Sequence, residues 1–186
     1  MYLIPFHSLF PEIALKETRS LTLIGYPGLP DGDYGLLEAY CPDPNCDCQR
    51  VMLNILSRSE QKQVASIGYG FDRNRKGAGP YLDPLNSQAD YAPALLAAIA
   101  LHLESDHAYV LRLRAHYALV KAAAANPKHP AQQVLTPWKD SEQESLESKE
   151  DMAALQRAIR AISEREPSFR ALEHKTGRKK RRRQSK

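Results

Sequence analysis

Residues 34–56 read Tyr34-Gly-Leu-Leu-Glu-Ala-Tyr-Cys41-Pro-Asp-Pro-Asn-Cys46-Asp-Cys48-Gln-Arg-Val-Met-Leu-Asn-Ile-Leu56. The two ends of this stretch, about Tyr34 to Cys41 and Gln49 to Leu56, have the alternation and the β-branched or aromatic residues typical of strands. The residues between them include two prolines and an asparagine, which favour turns. The stretch therefore predicts a β-hairpin with three cysteines at its tip.

Two further runs outside this hairpin also have the pattern of strands, at about Thr18 to Ile24 and Val64 to Gly70. The connection 25–33 is rich in turn formers and the connection 57–62 is polar. Neither is expected to hold a helix long enough for a parallel crossover. The sequence therefore predicts an antiparallel meander of about four strands.

Apolar residues recur at helical spacing after the strands. One helix is expected to begin near Asp90, and a second to run from Asp106 to about Ala124. A short helix at 8–17 precedes the strands, and 71–89 is expected to be a long loop whose basic residues either meet an anion or are simply solvated. The prediction is an α+β fold, with two helices packed on the sheet, in a zinc-stabilised domain spanning 1–125.

The remainder of the chain is expected to extend from this domain. Residues 126–148 lack periodicity and predict a linker. A C-terminal helical segment is expected at 149–174, where an apolar seam at 152–162 repeats at three- and four-residue spacing. Such a seam favours docking on a protein partner, and self-association is the alternative.

The last twelve residues, 175–186, hold eight of the 26 lysines and arginines and no acid, and they are expected to be a disordered basic tail. The rest of the chain is weakly acidic. This asymmetry predicts nucleic acid as a partner through phosphate contacts, with a merely solubilising terminus as the alternative. The residues expected to make these contacts are Arg178, Lys179, Lys180, Arg181, Arg182 and Arg183.

Composition excludes several classes of protein. Hydrophobic residues make up 42% of the chain and charged residues 26%, which is near the average for globular proteins. The most apolar stretch, Ala92 to Leu101, is too short to cross a bilayer, so no membrane association is expected. The N-terminus lacks the pattern of a signal peptide, and three closely spaced cysteines do not suit a disulfide framework. A cytoplasmic protein with reduced thiols is the expectation.

The three cysteines are the candidate metal ligands. Side chains two apart on a strand point the same way, so Cys46 and Cys48 can offer both sulfurs to one ion. The intervening turn brings Cys41 back to the same point. Thiolates favour Zn²⁺, and a structural zinc site has four ligands. One alternative is that the three cysteines are simply small buried residues of a sheet. A second is redox chemistry, which the cysteine spacing makes less fitting.

A fourth ligand is needed, and His116 is the predicted one. It is the histidine on the apolar stripe of a helix near the expected core, where an imidazole needs a partner to be worth burying. His107, at the start of the same helix, is the second choice. Asp43 or a water molecule are the alternatives, and a water would leave the open position that catalytic zinc requires.

The stretch from Leu29 to Leu56, together with Leu82-Asp-Pro-Leu-Asn86 and His116-Tyr117, resembles a family of uncharacterised bacterial proteins. Some apparent relatives end in a second, cysteine-rich SEC-C zinc motif. Here the corresponding end, Lys175-Thr-Gly-Arg-Lys-Lys, contains no cysteine, so that second site is absent. The resemblance covers roughly the first 125 residues and implies a zinc module without implying an activity.

Three functions stand as hypotheses. The first is a zinc-stabilised binding or adaptor module that contacts nucleic acid through its basic arm. The second is a zinc-dependent hydrolase with an open metal position and Glu38 or Asp47 as the general base. The chain has no H-E-x-x-H, G-x-S-x-G or P-loop motif, which favours the first. A ribosome- or transposon-associated accessory role is a third hypothesis, which the sequence neither supports nor excludes.

Overall fold

The computed structural model describes residues 3–72, 74–75, 78–140 and 157, without the side chains of 137–140. Within these residues the chain forms one six-stranded sheet and five helices. The strands are β1 (Ile4–Pro5), β2 (Arg19–Leu23), β3 (Gly32–Tyr40), β4 (Arg50–Ser57), β5 (Lys62–Gly70) and β6 (Gly79–Leu82). The helices are α1 (Phe6–Leu9), α2 (Pro11–Glu17), α3 (Ala92–Ser105), α4 (His107–Ala125) and α5 (Gln132–Asp140). The predicted α+β class is confirmed.

Every strand pairing in the sheet is antiparallel. Strands β2 to β6 follow one another as a meander, and the short β1 pairs with β3 on the edge that β2 also uses. The register sets Leu36 opposite Ile55 and Leu53 opposite Ile67. Because side chains alternate along a strand, this register places the apolar residues of β3, β4 and β5 on one face.

The helices cover that face. Leu95, Ile99 and Leu103 of α3 are buried against it, as are Leu113 and Val120 of α4. Helices α1 and α2 add the buried side chains Phe6, Leu9 and Ala14 to the same core. One continuous core therefore ties the N-terminal helices, the sheet and α4 together, and it fixes the tip of the β3–β4 hairpin beside α4.

Local sequence explains where the two long helices begin. The Asp106 side chain accepts a hydrogen bond from the Tyr109 backbone N–H at 2.9 Å, which is the N-cap interaction expected at the start of α4. Helix α3 has Pro93 in its first turn, where a missing N–H is harmless, and its N-cap is Tyr91, one residue after the predicted start near Asp90.

Two stretches predicted to lack regular structure do contain it. Helix α5 lies inside 126–148, the predicted linker, and both Leu135 and the preceding Ala131 are buried in the core. One turn of apolar residues is too short a pattern to recognise in a sequence, and tertiary packing supplies its stability. Strand β6 lies inside the predicted loop 71–89, where it pairs with β5.

Apart from Arg157, the chain beyond residue 140 lies outside the described residues. The C-terminal segment at 149–174, its seam at 152–162 and the basic tail at 175–186 therefore stay predictions. None of the helices in the described ranges is both long enough and apolar enough to cross a membrane.

Candidate metal centre

The cysteines lie on residues 41–49, here called the knuckle, which connects β3 to β4. A turn forms at its centre because the Cys46 N–H donates to the Asp43 carbonyl at 3.2 Å, with Pro44 at the second position, where its fixed φ suits a turn. The Asp43 carboxylate also accepts the Asn45 N–H at 2.9 Å. This turn reverses the chain and returns Cys46 toward the end of β3.

The turn brings the three thiols together. The sulfur atoms of Cys41, Cys46 and Cys48 all lie within 4.8 Å of one another, and none forms a disulfide. Cys41 is buried, whereas the other two are half-buried. The predicted cluster is confirmed, and the three thiols could together bind a metal ion.

Contacts from α4 and β5 hold the knuckle in place. The Lys121 ammonium donates to the carbonyl oxygens of Asp43 at 2.5 Å and Cys46 at 2.7 Å, at the two ends of the turn. Gln49 has a left-handed backbone with φ of 46°, a conformation that costs a residue with a side chain about 1–2 kcal/mol. Its carbonyl accepts the Phe71 N–H at 2.8 Å, and its N–H points to the Tyr117 hydroxyl at 3.4 Å.

The three thiols differ in acidity. Burial, followed by the charge of Cys41, raises the pKa of Cys48 to about 11, and burial also raises the pKa of Cys41. For Cys46, slight burial acts to raise the pKa, but hydrogen bonds from Cys48 and Cys41 and the charge of Lys121 lower it overall. Of the three thiols, that of Cys46 is therefore the most readily deprotonated.

A cleft of about 360 Å³ opens beside the cluster. One wall is the knuckle, including Cys46 and Asp47. The other walls are Phe71, at the end of β5, and the α4 residues Arg114, Tyr117 and Lys121. The cleft therefore joins a thiol, a carboxylate, two cations and two aromatic rings.

No protein-family model matches this chain. Comparisons with curated proteins and with solved structures find no significant match either. The cysteine cluster is present, but no family is identified, so the resemblance to a family of uncharacterised bacterial proteins stays a prediction.

The structure does not bring His116 to the cysteines. Its Nδ1 lies 2.7 Å from a Glu38 carboxylate oxygen and its Nε2 lies 3.2 Å from Glu17. Its ring stacks on Phe6 with centroids 4.1 Å apart. A buried imidazole was expected to need a partner, and His116 has two, both of them carboxylates. Within the described residues, His116 is not part of a group that could hold a metal.

Helix geometry explains this placement. Successive residues of a helix point about 100° apart, so His116 faces the sheet while Tyr117 faces the cleft. The second choice, His107, is the first residue of α4 and lies about 20 Å along the helix from Lys121 at the knuckle. The Asp43 carboxylate turns toward Asn45 and is not grouped with the thiols.

The two residues nominated as general bases are both engaged. Glu38 is buried and accepts the Tyr40 hydroxyl at 2.6 Å as well as contacting His116, and it does not line the cleft. Asp47 does line the cleft, but it pairs with Arg75 at 2.6 Å. The hydrogen bond from Arg75 lowers the pKa of Asp47, which weakens this carboxylate as a base.

Sequence reasoning missed Tyr117 and Lys121. Burial, and then the charges of Cys48 and Cys46, raise the pKa of Tyr117. The Lys121 ammonium also lies over the Tyr117 ring, 5.2 Å from its centroid. These residues are four apart on α4 and share a face, but no local signal indicates that this face meets a loop some seventy residues earlier.

Proposed function

We propose that the knuckle binds one zinc ion and that this ion stabilises the α+β body as a binding module. The observation that carries the proposal is the placement of three ligand sulfurs within 4.8 Å of one another. With Zn–S bonds of about 2.3 Å, the sulfurs of a tetrahedral site lie about 3.8 Å apart. A small inward movement of the three thiols therefore makes three of the four bonds.

The surroundings of the knuckle suit a metal. Thiolates are soft ligands that favour Zn²⁺ over Mg²⁺ or Ca²⁺. Lys121 lies close enough to offset part of the negative charge of three thiolates, since its ammonium contacts the backbone on both sides of the turn. The ion would connect the end of β3 to the start of β4, and its binding free energy would contribute to folding.

Metal content tests the first part of the proposal. Purified protein should carry about one zinc per chain, measured by inductively coupled plasma mass spectrometry after dialysis. Cys46→Ser and Cys48→Ser should each lose the metal and lower the melting temperature, because structural zinc contributes folding free energy directly. Asp47→Asn is the matched control, since it changes the residue between two ligands without removing a thiol.

Two results would contradict the zinc proposal. One is metal-free wild-type protein that takes up no zinc when titrated. The other is a triple Cys→Ser variant that melts at the wild-type temperature.

We further propose that residues 175–186 contact nucleic acid. Six consecutive cations at 178–183 support this, because a run of cations binds phosphates by releasing counterions. The run contains no aromatic residue to stack on bases, so little dependence on base sequence is expected.

The salt dependence of RNA binding tests this second part. For single-stranded RNA, the slope of log K against log salt should be about −0.7 per phosphate contacted, hence about −4 to −6. Deleting residues 175–186 should abolish the slope and leave zinc content and melting temperature unchanged. Intact protein that fails to retard RNA or duplex DNA at about 50 mM salt would refute nucleic acid as a partner.

A further inference from the structure

The cysteine cluster supplies three of the four donors that a tetrahedral metal needs. Among the residues that the structure describes, no histidine, aspartate, glutamate or further cysteine joins the three thiols as a group. A zinc site with three protein ligands takes its fourth from water or another small molecule. The fourth ligand must therefore reach the metal from a side of the cluster that is open.

The structure indicates one such side. Cys41 is buried at the end of β3, whereas Cys46 is half-buried and lines the cleft. A metal held by Cys46 lies at the cleft wall, so a ligand in the cleft can reach it without passing through the core. The cleft volume of about 360 Å³ lies within the range of small-molecule sites.

The cleft combines two cations with two aromatic rings, and the Asp47 carboxylate in its lining is paired with Arg75 at 2.6 Å. Arg114 is exposed and donates one hydrogen bond, to the Phe71 carbonyl at 2.6 Å, from a guanidinium with five N–H donors. The central carbon of the Arg114 guanidinium lies 5.8 Å from the centroid of the Phe71 ring. Lys121 adds a second cation, and the Phe71 and Tyr117 rings pack edge to face with centroids 5.8 Å apart.

We propose, building on the zinc site above, that the fourth coordination position opens into this cleft and takes a small organic carboxylate. One carboxylate oxygen replaces a metal-bound water, which leaves as water, and no other bond changes. The second oxygen accepts hydrogen bonds from Arg114, while the organic body of the ligand lies against Phe71 and Tyr117. Inorganic phosphate lacks such a body and binds less well.

Cobalt spectroscopy tests the proposal on the full chain. Co²⁺ replaces Zn²⁺ in tetrahedral thiolate sites, and its visible bands report the donor set. Benzoate is the probe, acetate is the probe without a ring, and inorganic phosphate is the competing anion. Benzoate should shift the bands saturably, more tightly than acetate, and phosphate should have the smallest effect.

Variants locate the binding site. Arg114→Met should weaken benzoate binding by about tenfold without changing cobalt content, because it removes the charged donor and no metal ligand. Arg112→Met is the matched control. Arg112 lies on the same helix, but over the Tyr109 ring and outside the cleft, so its loss should leave benzoate binding unchanged.

Failure of this proposal can be told apart from failure of the zinc proposal. Protein that binds no cobalt or zinc contradicts both. Protein that binds one metal with no response to benzoate contradicts the open position alone. The open position is also contradicted if His174→Ala or Asp43→Asn changes the cobalt bands of the ligand-free protein, because the fourth ligand then comes from the chain. Equal loss of benzoate binding in Arg114→Met and Arg112→Met would refute the cleft as its location.

Discussion

Replacing His116 by alanine separates the buried polar network from the metal centre. The His116 and Glu38 side chains are each only 4% exposed, and the distance between Nδ1 and the carboxylate oxygen is 2.7 Å. Glu17, on the other side of the ring, is 42% exposed. Truncation to alanine removes the imidazole and leaves the Glu38 carboxylate buried with the Tyr40 hydroxyl as its remaining neighbour in this network.

The expected loss of unfolding free energy is about 3–5 kcal/mol, the cost of removing one member of a buried pair. The contact with Glu17 adds little, since pairs with an exposed member are worth about 0–1 kcal/mol. Loss of the stack on Phe6 adds about 0.5–1.5 kcal/mol. Most of the loss thus comes from the carboxylate left in the core.

A double variant checks the origin of this loss. His116→Leu combined with Glu38→Leu removes both polar groups, and the Tyr40 hydroxyl can still donate to the Leu113 carbonyl, 3.1 Å away. The double variant should therefore be more stable than His116→Leu alone by at least about 1 kcal/mol. His107→Ala is the control for loss of an exposed histidine on the same helix, and it should change stability by less than about 0.5 kcal/mol.

Urea denaturation measures each stability, and zinc analysis of the folded fraction measures metal content. His116→Ala should unfold at lower urea concentration while keeping the wild-type zinc content. A folded His116→Ala protein that loses its zinc would overturn the placement of His116 outside the metal centre. A loss of stability below about 1 kcal/mol would show that the buried network is worth far less than its burial implies.

Two further predictions concern the scaffold, both measured by urea denaturation. Asp106→Ala should cost about 0.5–2 kcal/mol, because it removes the cap on the Tyr109 N–H, and Asp106→Asn should recover most of that loss. Gly68→Ala should cost about 1–3 kcal/mol, because the added methyl would overlap the cross-strand Tyr81 ring. Gly32→Ala, whose new methyl would meet only ordinary contacts, should cost clearly less, and equal losses would contradict the overlap.

The strands of the meander were predictable from local sequence patterns. Period-two alternation and the turn residues between runs gave boundaries within about two residues of the observed β2, β3, β4 and β5. The reason is that both signals are local, since the pleat sets the alternation and the turns need glycine, proline or asparagine. The cysteine cluster was predictable for the same reason, because strand pairing and one tight turn place all three thiols.

The partners of the buried polar groups, in contrast, depend on long-range packing. The alternation of side chains along β3 puts Glu38 on the core face with Leu36 and Tyr40, so the burial of this carboxylate was predictable from the sequence. Its partner was not, because His116 lies 78 residues later and reaches it through helix packing. Likewise α5 is too short to show a pattern, and only the surrounding core makes it a helix. Lys121 reaches the knuckle because α4 packs beside β3 and β4, and this long-range contact is not encoded in any local run of residues.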